Sequence, residues 1–261
     1  MTLPHALKTA GQGLAVGGGL AALGYAALVA FHRTRYGRVA YTCSMGDDSK
    51  LLDRFIPSPE VVEHHRSRIS APADVVLSTA KEMDLLTSTV IRIVVKARQI
   101  VLGGQPGTPP HPRALLSQLQ SIGWVVLAER TGREIVLGAV TQPWQATVVF
   151  RPIPAADFAA FREPGYVKIA WTLRADAIGA HQSMVHTETR VSTTDLQARE
   201  RFRRYWSFVA PGMTVITLSM VRSLRRSAER RAAAAAAQAW TGGAGAEGSP
   251  KRVGFRRQLN A

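Results

Sequence analysis

Side-chain chemistry needs groups that can be brought together, and this chain has few. Glu188 and Arg190 stand two apart in the alternating run Met184 to Val191, so as a strand they share one face. If Val185, Thr187, Thr189 and Val191 fill the interior, Glu188 and Arg190 face outward and pair with each other or with arginines further on. In the opposite register they stand at a cavity wall and fix a ligand's polar end. The histidines His64, His65, His181 and His186 are scattered. Adjacent His64 and His65 on a strand point to opposite faces and cannot share an ion. There is no H-E-x-x-H motif and no G-x-S-x-G elbow. Gly103-Gly104 is not followed by the Gly-Lys-Ser/Thr of a phosphate loop. Cys43 is the only cysteine, so neither an internal disulfide nor a cysteine-based zinc site is available. No metal site or cofactor is expected.

The aromatic set is Trp124, Trp144, Trp171, Tyr205 and Trp206. Such residues build cores, and where a core is under-filled they line a site for an apolar ligand. Basic residues cluster at Arg201, Arg203 and Arg204, at Arg222, Arg225, Arg226, Arg230 and Arg231, and at Lys251, Arg252, Arg256 and Arg257. The net charge is +15, a balance that favours anionic partners. Anionic lipid is the expected partner. Nucleic acid is not, because the aromatics fall at core positions instead of alternating with basic residues.

Elements must hold these groups. Val61 to Ser70 reads as a strand, and Pro72 opens a helix over Ala73 to Met83. Thr87 to Leu102 fits a helical face better than a strand. Gly103 to Pro112 is a loop, and Pro112 opens a helix to about Ile122. Trp124 to Glu129, Glu134 to Val140 and Gln145 to Phe150 read as strands, with Thr131-Gly132 turning the first hairpin. Asp157 to Arg162 is a short helix. Tyr166 to Arg174 sets Val167, Ile169, Trp171 and Leu173 against Lys168, Thr172 and Arg174. Asp195 starts a long helix with an apolar stripe at Phe202, Tyr205, Trp206 and Val209. Pro211-Gly212 is expected to break or kink it, and helix resumes from Met213 to Arg231.

The first forty residues differ in kind. No charge occurs from Thr9 to Phe31, a run that as a helix spans roughly 34 Å, enough for a bilayer core. Arg33, Arg35 and Arg38 follow it, which places the C-terminal side in the cytoplasm. A single-pass anchor of the cell membrane over Gly11 to about Phe31 is therefore expected. The small-x-small pattern of a signal-peptidase site is not clean at Ala27 or Ala30. Gly11, Gly13 and Gly17 are one residue too widely spaced for a dinucleotide fingerprint. The expected organisation is an anchor over 1–35, a polar connector over 36–60, an α+β domain over 61–231 and a disordered Ala/Gly-rich basic tail over 232–261.

The segments SRISAPADVVLSTAKEMD (Ser67 to Asp84), REIVLGAVTQPW (Arg133 to Trp144), FREPGYVKIAWTLRA (Phe161 to Ala175) and HTETRVSTTDLQARERFRRYWSFVAPG (His186 to Gly212) carry a resemblance. Over roughly Val61 to Ala228 the chain resembles the START-like (SRPBCC) superfamily, in particular its poorly characterised bacterial members. The resemblance implies a helix-grip fold: a curved antiparallel sheet around a long C-terminal helix, with a hydrophobic cavity between them. It implies binding of a lipid or other small hydrophobic ligand, with Ile169, Trp171, Tyr205, Trp206 and Met213 as lining residues and Glu188 and Arg190 as polar ones. Relatives of this fold include cyclases, dehydratases and hydroxylases. No poised acid/base pair is visible here, so a non-catalytic binding module or a membrane-tethered interaction protein is the expectation.

Overall fold

The computed structural model describes residues 50–84 and 114–244, with isolated positions at 24, 27, 30, 34, 88, 89, 92, 93, 96 and 103. Most of the expected anchor, residues 104–112 of the expected loop and residues 245–261 lie outside them. Within the anchor segment Gly24, Ala27 and Ala30 are helical and exposed. Thr89, Arg92, Ile93 and Lys96 are helical too, in line with the helix expected there.

The elements are α1 (Lys50–Asp53), β1 (Val61–Ile69), α2 (Ala73–Glu82), α3 (Leu115–Ser121), β2 (Val125–Arg130), β3 (Glu134–Thr141), β4 (Phe150–Arg151), α4 (Ala155–Phe158), β5 (Val167–Gly179), β6 (Gln182–Thr193) and α5 (Leu196–Ala244). The strands form one six-stranded sheet in the order β1-β6-β5-β3-β2, with β4 paired to β3. All pairings are antiparallel. The fold is α+β, with a long C-terminal helix packed on the sheet.

Alternation along β5 and β6 decides the faces. Val167, Trp171, Leu173, Ala175, Val185 and Val191 point to the inner face, where α2, α3 and α5 cover them. α5 contributes Phe202, Trp206 and Ala210 at one end and Met220, Val221, Leu224 and Ala228 at the other. Asp195 caps this helix: Oδ1 accepts from the Ala198 amide at 2.8 Å, and the Gly165 amide donates to Oδ2. These backbone bonds hold the Asp195 carboxyl below its usual range.

The structure departs from expectation in four places. The end of the supposed polar connector is core: Leu51, Leu52, Phe55 and Ile56 are buried on the outer face of the sheet against Leu127, Val136, Val140, Phe158 and Ala170. The folded unit therefore starts by residue 50, and the sheet is covered on both faces. The strand expected over Gln145 to Phe150 shrinks to Phe150–Arg151, because a turn at Gln142 to Gln145 (Gln145 N–H to Gln142 O, 3.1 Å) delays it. α5 runs unbroken through Pro211. A proline removes one helical donor, and the buried contacts on both sides outweigh that loss. Helix also continues through residues 232–244, where alanine's high helix propensity replaces the expected disorder.

Among the described residues, the stretch Leu196–Ala239 is long and apolar enough to cross a membrane. Its sheet-facing side is nevertheless buried in the domain core.

Candidate functional site

Strand register lays the inner face out in rows. One row is Val61, Val191, Ile169 and Ala139. The next is Glu63, Thr189, Trp171 and Leu137. The third is His65, Thr187, Leu173 and Ile135. Across the second and third rows the β3/β5 half is apolar and the β1/β6 half is polar. β1 is a sheet edge, so the polar half lies at the margin of the sheet. Thr214 of α5 faces Glu63 from above, and its hydroxyl donates to the Ala210 carbonyl at 3.2 Å.

This seam is electrostatically unusual. Burial pushes the Glu63 carboxyl up from 4.5 to about 7, against the opposing pull of the nearby Thr214 hydroxyl. Burial thus favours its neutral, protonated form, which can donate as well as accept. Burial, aided by neighbouring His64, lowers the pKa of His65, and its Nε2 is buried without a hydrogen-bond partner. The Ser183 hydroxyl, paired in register with Ile69, is likewise buried and unsatisfied. Such atoms are rare in folded proteins because each costs about 1–3 kcal/mol. The Trp171 indole spans the two halves and donates to the Thr187 hydroxyl at 2.6 Å.

Beside the apolar half, Leu77, Ala80, Leu115, Ile135, Leu137 and Trp171 line a cavity of about 10 Å³. That is room for about one water.

The residues singled out in the sequence separate into three places. Ile169, Tyr205, Trp206 and Met213 come together in one cluster around Phe202, whose ring lies 5.5 Å from that of Trp206. Trp171 belongs to the adjoining cluster on the same face. Glu188 and Arg190 are on the opposite face, so the reading of them as cavity-wall residues is corrected. They are not solvated either. Arg190 donates to Glu188 Oε1 at 2.7 Å, to Asp53 Oδ1 at 2.5 Å and to the Ile56 carbonyl at 3.0 Å, clamping the α1 segment to the sheet.

Sequence reasoning passed over Glu63 and Thr214, weighed His65 only as a metal ligand, and placed Thr189 in the interior without a polar role. β1 was legible, but its string Val-Val-Glu-His-His-Arg does not alternate cleanly enough to reveal its inner face. Pairing with β6 settles that face.

No family model matches the chain, and no curated protein matches it. Among solved structures it is similar to the Zhui aromatase/cyclase from Streptomyces sp. R1128, at 13% identity over 64% of this chain and 94% of that one, with a TM-score of 0.26. It is also similar to Ara h 8.0201, at 8% identity over 62% of this chain and 98% of that one, with a TM-score of 0.18. Superpositions this loose carry no functional argument. Fold and seam together define an α+β domain whose inner sheet face is two-sided, apolar towards β3 and β5 and polar towards the edge strand β1.

Proposed function

We propose that this domain is a START-like binding module that takes one small amphipathic molecule between the inner sheet face and α5. The apolar body lies against Trp171 and Leu137, and the polar end meets Glu63 and His65. The observation that carries this reading is the split inner face, whose polar half sets the Glu63 carboxyl beside an unsatisfied imidazole nitrogen. Those groups weaken the empty fold. A ligand hydroxyl, carbonyl or amide satisfies them and recovers the cost. The small cavity beside Trp171 is where the apolar body starts to enter, and α2 and α3 move apart to admit the rest. Tyr205, Trp206 and Met213 close the far end. The N-terminal run, uncharged from Thr9 to Phe31 and followed by arginines, tethers the domain to the cytoplasmic side of the cell membrane and so places it beside a source of lipid.

The test is quenching of tryptophan fluorescence by 11-bromoundecan-1-ol added to the full-length protein. Saturable quenching is expected, with its main part absent from Trp171→Phe. Glu63→Leu and His65→Phe should each weaken binding roughly tenfold, the loss of about one good hydrogen bond. Quenching that never saturates, or that ignores both polar substitutions, rejects the reading.

A further inference from the structure

α5 carries a second surface, on the side turned away from the sheet. Phe208, Val215 and Leu218 are exposed there, at 41%, 43% and 38%. Their spacing of seven and then three residues puts them on one helix face. Arg201 and Arg204 precede this patch on the same face, and Arg222 and Arg226 follow it, all exposed. The residues buried against the sheet, Phe202, Trp206, Ala210, Leu224 and Ala228, occupy the other side. No aspartate or glutamate occurs from Arg201 to Ala228, and no charge of either sign from Tyr205 to Val221.

We infer that this outer face of α5 lies flat on a bilayer containing anionic lipid, with Phe208, Val215 and Leu218 sunk among the acyl chains and the arginines on headgroups. Three features argue for that occupant. Cations at both ends of an apolar strip are the pattern of an interfacial helix. Arg204 and Arg226 stand roughly 33 Å apart along the axis, farther than one compact anionic ligand reaches, while a bilayer surface presents anions over the whole distance. A second copy docked by this face would set arginines against arginines. The inference uses none of the interior seam, so it stands or fails separately from ligand binding. It is also independent of whether residues 11–31 span the membrane, because its test reads one position on α5.

That test uses the full chain with Cys43→Ser and Val215→Cys, labelled at position 215 with the environment-sensitive fluorophore NBD. It is combined with vesicles of phosphatidylcholine, with or without phosphatidylserine. The expected result is a blue shift and several-fold brightening only when phosphatidylserine is present. Combining Arg204→Gln, Arg222→Gln and Arg226→Gln should lower the docking equilibrium of α5 that the NBD signal reads roughly 100-fold, at about fivefold per arginine near the surface. An identical response with both lipids, no response with either, a lipid-free response that grows with protein concentration, or a response to RNA but not to vesicles overturns the inference.

Discussion

The Trp171 indole reaches diagonally across one strand pair to the Thr187 hydroxyl at 2.6 Å, although its partner in register is Thr189. This bond joins the apolar and titratable halves of the interior. Its two ends are unequal. Thr187→Val strands a buried indole N–H and should cost about 1–3 kcal/mol, whereas Trp171→Phe with Thr187→Val removes both partners and costs less than the sum of the single changes. Urea unfolding of the four chains in this cycle gives the coupling. An additive result would show that the bond contributes nothing.

Glu63 makes stability depend on pH. Its folded value of about 7 lies above the ordinary 4.5, so between these values the folded state holds a proton that the unfolded state has released. Stability is then full below about 4.5, falls as pH rises towards 7, and stays low above it. Glu63→Gln should flatten that decline and leave the protein more stable than the parent at pH 8. His65 opposes this below 6.5, because its lowered pKa keeps it neutral in the fold. The diagnostic quantity is therefore the parent-minus-variant difference in melting temperature from pH 5 to 8. A difference that does not change with pH would exclude the effect.

On the outer face, Arg190 is 7% exposed and Glu188 8%, while the Asp53 carboxylate is largely open to water. Arg190→Met leaves the Glu188 carboxylate buried beside lost contacts and should cost about 3–5 kcal/mol. Asp53→Asn removes an exposed end of the same clamp and should cost under about 1 kcal/mol. Denaturant midpoints of the two variants test this order, and equal losses would contradict it.

Gly138 sits where β3 passes beneath β2 and α4. A Cβ there would fall 2.5 Å from Leu127 Cδ1 and 2.9 Å from Phe158 Cε2. Gly138→Ala should cost about 1–3 kcal/mol through overpacking. Adding Leu127→Ala should return part of the loss in a thermal melt, and a further drop instead would mean that the clash is not the cause.

Most strands and the start of α5 were legible, because two-residue alternation in β5 and β6 and the Asp195 cap are local signals. What failed was local in another way. Leu51, Leu52, Phe55 and Ile56 sit among Asp, Ser and Pro in a piece too short to show a period, so their burial depends on a sheet face built much later in the chain. Lys168, Arg174, Glu188 and Arg190 alternate as a solvated face would. The three cations are buried because Asp53, Asp176 and the Ala159 and Ile56 carbonyls answer them, and Glu188 because Arg190 does; Asp53 and Ile56, far off in sequence, leave no local signal. The inner face of β1 required knowing its neighbour.

That neighbour fixes an order of events during synthesis. Among the described strands β1 is made first and pairs only with β6, the last. At the usual pace of translation the intervening chain takes roughly 6–20 s to appear. Throughout that interval Glu63 and His65 lack the strand and the helix that bury them. Their unusual acidities arise when residues 182–193 dock and α5 folds over them, so the seam's chemistry is switched on by the final closing step of the chain's own assembly.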